Sequence, residues 1–131
     1  MPLQPDSPAV AAARAHLDAW SNHDWDAARG GLAADVKVTV TTTNGMMPDT
    51  KLAGVDDYMD GLIQFAQGVV PGSAQVIASV GDERNALLML TVRAAFGPGA
   101  PRVTLPAARL YLVDDDGKIA VEQVVFVAIP D

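Results

Sequence analysis

Apolar residues recur three and four apart from the start of the ordered pattern: Val10, Ala13, Leu17 and Trp20. That spacing predicts a helix with one buried face, and His16 falls on the same face. Asp6 or Ser7 can cap it, and Pro8 suits its first turn. Arg14 and Asp18, four apart on the other side, are expected to pair in solvent. "SNH" breaks the helix, Asp24 can cap a short second one over 25–29, and Gly30-Gly31 closes it. A third helix is predicted over 55–69, with an apolar face of Val55, Tyr58 or Met59, Leu62, Ile63, Ala66 and Val69, ended by Pro71-Gly72.

The remaining pattern is that of strands. "VKVTVTTT" is a β-branched run, so 36–43 reads as a strand, and "NGMMPDTKLAG" after it as a loop. Three further strands, 74–80, 86–96 and 102–113, are joined by "GDERN" and "GPGAP"; "DDDGK" turns into a last strand over 119–129. Short turns between consecutive strands imply antiparallel pairing. The order is α+β: early helices covering one face of a curved, mostly antiparallel sheet, with a cone-shaped hollow between. With no repeat and no linker, residues 1–131 are expected to form one domain, with proline-rich 1–7 a loose tail.

Alternation along each strand gives a face. Leu88, Leu90, Val92, Ala94 and Phe96 make one apolar face, with Thr91 and Arg93 outward. Ala108, Leu110 and Leu112 are expected to face inward, and Arg109 and Tyr111 outward. Glu122, Val124 and Phe126 share a face, taken as inward. A slip of one residue would instead place Gln123 inside.

Composition narrows the partners. The formal net charge is −7, and the nine basic residues are scattered singly. No basic stripe exists to neutralise phosphates, so neither nucleic acid nor an anionic membrane is an expected partner. The absence of cysteine removes disulfides and zinc–thiolate sites. No apolar run reaches spanning length and the start lacks a signal-peptide pattern, so a cytoplasmic location is expected. No metal is expected: "DDDG" lacks calcium-loop spacing, and His16 and His23 are not a ligand pair. Asp56, Asp57 and Asp60 suit the start of a helix.

The element order, with "AHLDAWSNHDWDAARGGLAADVKVTV" and "GKIAVEQVVFV" in their places, resembles the nuclear transport factor 2-like superfamily, of cystatin-like, cone-shaped-barrel fold. It is most similar to the branch of ketosteroid isomerases, SnoaL-like polyketide cyclases and limonene-epoxide hydrolases. The isomerases' helix-one tyrosine falls on His16, their base on Val40, and their late-strand aspartate on Ala108 or, one along, Arg109. The hydrolases' residues fall near Pro106, Ala108 and Val124. Neither catalytic set is present.

What remains is His16 and Glu122, an expected acid–base pair in an apolar chamber. The alternatives are a hydrogen-bonded core histidine and a solvated glutamate. The expected lining is Trp20, Val40, Met59, Leu88, Leu90, Val92, Ala108, Leu110 and Phe126. Trp20 and Trp25 read equally as core, and Tyr58 as a pocket hydroxyl or one reaching water. Met46 and Met47 read as a pliable lid or as rim residues. The resemblance implies cofactor-free proton transfer next to a carbonyl, on an apolar cyclic or polyketide-like substrate. The alternatives are a hydrophobic-ligand-binding protein and a dimerisation module with a filled pocket. A homodimer is expected through an outer sheet face carrying Thr91, Arg93, Arg109, Tyr111 and Val125.

Overall fold

Ser7 accepts a hydrogen bond from the Val10 N–H and opens α1 (Pro8–Ser21). Pro8 costs nothing there, because its missing N–H would have had no partner inside the helix. The computed structural model describes residues 6–42, 49–95 and 97–126. The Met46-Met47 loop tip, Phe96 and residues 127–129 of the expected last strand lie outside these. Asp24 caps α2 (Trp25–Gly30) by accepting from the Ala27 N–H. His23, in the left-handed region at φ 62, follows the first helix and donates from Nε2 to the Ala66 carbonyl at 3.0 Å, because a carbonyl only accepts. That bond ties the end of α1 to the end of α3 (Val55–Ala66).

The strands are β1 (Leu32–Thr42), β2 (Thr50–Ala53), β3 (Gln75–Gly81), β4 (Asn85–Ala94), β5 (Val103–Val113) and β6 (Ile119–Phe126). They form one six-stranded sheet in the order β2-β1-β6-β5-β4-β3. Neighbours are antiparallel except β1 and β6, which run parallel at the centre. The sheet is curved and unclosed, and the fold is α+β as the pattern implied. α1 packs across β3, β4 and β5, and α3 across β1 and β2. Among the described residues no helix is long and apolar enough to cross a membrane.

Several expectations need correction. Residues 50–53, read as loop, pair with β1 as a strand, so Val40 stands opposite Thr50. β1 starts at Leu32, and a register shift between Leu32 and Lys37 hid that start by interrupting the alternation. α3 ends at Ala66, and Val69 instead makes an isolated bridge to Ala94. Arg14 pairs with Asp6 at 3.0 Å, not with Asp18.

The largest correction is the face of β5. Ala107, Arg109, Tyr111 and Val113 are buried, whereas Leu110 is 45% exposed and Leu112 lies outward beside it. Pairing explains why. Leu88 stands opposite Arg109, Ala86 opposite Tyr111, and Tyr111 opposite Glu122. Directly opposed residues share a face. Once β4 turns Leu88 inward and β6 turns Glu122 inward, Arg109 and Tyr111 must follow.

Candidate functional site

α1 brings His16 into the core beside Ala13, Leu17 and Trp20; the side chain is 2% exposed. Its Nδ1 lies 3.1 Å from the carbonyl oxygen of Ala28, on α2. A carbonyl only accepts, so Nδ1 holds the proton. Burial lowers the His16 pKa; Glu122 opposes this, while Arg109 adds to it. The neutral ring therefore presents a lone pair at Nε2, which stands 3.4 Å from the Tyr58 hydroxyl oxygen.

Tyr58 sits on the inner face of α3, and its hydroxyl donates to Oε2 of Glu122. Burial first, and Glu122 second, push the Tyr58 pKa well above its usual value, so the phenol keeps its proton. Glu122 on β6 is wholly buried, and its Oε1 accepts from Arg109 Nη1 at 3.0 Å. Burial works against the charge on Arg109, but Glu122, followed by Tyr111 and Tyr58, more than reverses this and raises its pKa. The Arg109 guanidinium also lies 4.8 Å over the Trp20 ring, a favourable placement for a cation on an indole face. Tyr111 stands directly across from Glu122, its pKa raised by burial and then by Glu122.

Five elements thus supply one buried chain: the Ala28 carbonyl, His16, Tyr58, Glu122, Arg109 and the Trp20 ring. Its proton count is uneven. Tyr58 has one hydroxyl proton and two acceptors beside it, His16 Nε2 and Glu122 Oε2. At the other end, Trp20 Nε1 and Arg109 Nε are buried without a hydrogen-bond partner, while the Tyr111 hydroxyl interacts with Glu122 and Arg109. A group of this kind can hold a proton, pass it along, or orient an oxygen.

The expected residues fall as follows. His16 and Glu122 both point into the interior and meet through Tyr58 rather than directly. Trp20, Met59, Leu88, Leu90 and Val92 are core, and Val40 and Phe126 are half-buried against it. The Phe126 ring sits 5.4 Å from that of Phe65. Ala108 and Leu110, expected as lining, lie on the opposite face of β5 and are withdrawn from it. The Tyr58 hydroxyl reaches Glu122, not water. Arg109 and Tyr111 escaped the sequence reading because one wrong strand face carried both outward. Two polar residues two apart within an apolar strand were the available signal. Among the described residues, no three His, Asp or Glu side chains gather as a metal site. A depression of about 100 Å³, lined by Ala78, Ser79, Val80, Leu87 and Met89, lies on β3 and β4, away from this cluster.

The SnoaL-like domain family matches residues 13–122, most of the chain. The chain belongs to this family. Among curated proteins none matches the sequence. Solved structures share the SnoaL-like fold at low identity. A Mycobacterium tuberculosis protein in complex with estradiol-17beta-hemisuccinate is 15% identical over 91% of this chain and 93% of its own, with TM-score 0.75. An LEH-like epoxide hydrolase from M. tuberculosis is 23% identical over 93% of this chain and 85% of its own, with TM-score 0.70. A candidate SnoaL-like polyketide cyclase from Shewanella putrefaciens is 16% identical over 93% and 91%, with TM-score 0.75. At these identities the likeness carries the fold.

Proposed function

We propose that this SnoaL-like protein is a cofactor-independent acid–base enzyme that moves a proton next to a carbonyl on an apolar cyclic or polyketide-like small molecule. The observation that carries this reading is the Tyr58 hydroxyl standing between two proton acceptors, His16 Nε2 and Glu122 Oε2, in an apolar interior. In the proposed step the Glu122 carboxylate takes a carbon-bound proton from the substrate. The bonding pair moves onto the carbonyl oxygen as an enolate. Protonated Glu122 no longer needs the Tyr58 proton, which turns to His16 Nε2 or to the enolate oxygen. Return of the proton to another carbon gives an isomer; attack of the enolate carbon on a second carbonyl gives a ring whose alkoxide oxygen takes the proton back from Glu122. Arg109 holds Glu122 in place throughout.

The test is deuterium incorporation into a panel of apolar cyclic ketones in D2O, with binding measured in parallel. Wild type should accelerate exchange and Glu122→Gln should return it to the buffer rate. Binding without acceleration would favour the second reading, a hydrophobic-ligand-binding protein. One observation supports that second reading: Tyr58, Glu122 and Arg109 already satisfy one another in the core. A neighbour of the same fold binding a steroid ester fits either reading. The chain is further proposed to pair with a second copy through the outer sheet face, where Met89, Leu110 and Leu112 are exposed.

A further inference from the structure

Glu122 has no exposed surface, and His16 and Tyr58 are 2% and 3% exposed. A ketone can meet the carboxylate only if an element moves. β5 and β6 are bonded on both sides within the sheet. α1 is capped by Ser7 and tied to the Asp82 carbonyl through the Ala9 N–H at 3.2 Å. α3 is held differently, with a bonded glycine just outside each end. The Gly54 N–H donates to the Val36 carbonyl of β1 at 2.7 Å, and the Gly68 carbonyl accepts from the Ala95 N–H, just past β4, at 2.8 Å. Gly54 is at φ 91, where glycine is free of strain, and no side chain caps the helix there. A rod fixed at two such posts keeps one easy motion, a turn about its own axis, which leaves its internal hydrogen bonds made.

We infer that α3 is a gate that rolls outward, carrying Tyr58 off Glu122 and opening the interior to a substrate. The gate rests on the acid–base site proposed above and adds the route into it. The flank that sweeps past β2 is smooth at its centre: Gly61 faces Leu52, and a Cβ on it would stand only 3.2 Å from Leu52 Cδ1. The ion pair that crosses from α2 to the gate, Arg29 with Asp56, has side chains 50% and 84% exposed, where such a pair contributes little. The closed position is held from inside instead, by the Tyr58 hydroxyl on Glu122 and by the Phe65 ring 6.0 Å from that of Trp20. Closing over a bound ketone returns the Tyr58 hydroxyl to the site and shuts water out, as moving elements do at other active sites.

The chain contains no cysteine, so single introduced thiols report the motion. Met59→Cys, on the inner face of α3, and Ala13→Cys, on that of α1, are labelled with dithiobis(nitrobenzoate) under native conditions, and the global unfolding of each variant is measured in urea. An open state populated at about 0.1–10% should let the thiol of Met59→Cys react at about that fraction of an exposed thiol's rate. Ala13→Cys should react only as fast as its global unfolding allows. The same limit on Met59→Cys would overturn the gate. Leu52→Cys combined with Gly61→Cys brings two thiols together across the gate. Oxidation of this pair should return α-proton exchange into cyclic ketones to the buffer rate, and dithiothreitol should restore it. Exchange in the oxidised protein at the reduced protein's rate would also overturn the gate. Rapid labelling of Met59→Cys with no ketone exchange in any form would keep the gate and remove the acid–base reading.

Discussion

At the scale of single residues, His16 is the group whose charge state decides what the cluster can do. Its pKa is lowered chiefly by burial, whereas in the unfolded chain histidine titrates near ~6.5. Below ~6.5 the unfolded chain binds a proton that the folded chain refuses. Stability from this group is therefore complete above that value and falls as pH drops, by up to about 1.4 kcal/mol per pH unit. Urea unfolding between pH 5 and 8 should show this slope, and His16→Asn should flatten it; an unchanged slope in the variant would mean that His16 is charged when folded. Arg109 and Glu122 depend on each other more heavily. Removing one partner of a buried pair strands the other's charge, typically at about 3–5 kcal/mol. Glu122→Gln keeps an acceptor oxygen for Arg109 but removes the compensating charge, so tests with it check folding in the same sample.

At the scale of elements, periodicity was a good guide where an element had a single dry face. α1 follows from Val10, Ala13, Leu17 and Trp20, and α3 from Leu62 and Ala66, because the helix repeat fixes their direction without any partner. A strand face is different: alternation says which residues go together but not which set goes in. β5 offered Ala108, Leu110 and Leu112 as a plausible apolar face, and only pairing with β4 and β6 turned Arg109 and Tyr111 inward. Arg109 and Tyr111 were lost to the candidate site with that one choice. Resemblance to known catalytic positions led to His16 but not to Tyr58, whose helix face admitted either Tyr58 or Met59. In the structure both are buried. The β3–β4 turn carries a further consequence. A side chain at Gly81 would collide with the Asn85 carbonyl and with Val10 of α1. Gly81→Ala should therefore cost about 1–3 kcal/mol through overpacking, read as a lower denaturation midpoint. A neutral effect would show that α1 and the hairpin are not in close contact.

At the scale of the whole molecule, one side of the sheet is covered by helices and the other leaves apolar residues in solvent. Met89 is 50% exposed, with Leu110 and Leu112 beside it on the adjoining strand. Of the expected pairing residues Thr91, Arg93, Arg109, Tyr111 and Val125, the structure buries Arg109 and Tyr111; the surface proposed in their place is the more apolar one, as obligate interfaces tend to be. Sedimentation should give a dimer at micromolar concentration, and Leu110→Lys should give a folded monomer. A wild-type monomer would contradict the pairing. The proposed function lies on the covered side, in a chain of groups drawn from both main helices and two central strands, with Tyr58 as its middle link. The most direct measurement is the rate of α-proton exchange into a bound cyclic ketone in D2O by Tyr58→Phe, with folding and ligand affinity checked in the same sample. A proton path through the hydroxyl predicts a loss of about 100-fold or more with affinity nearly unchanged. Exchange at the wild-type rate in that variant would contradict it.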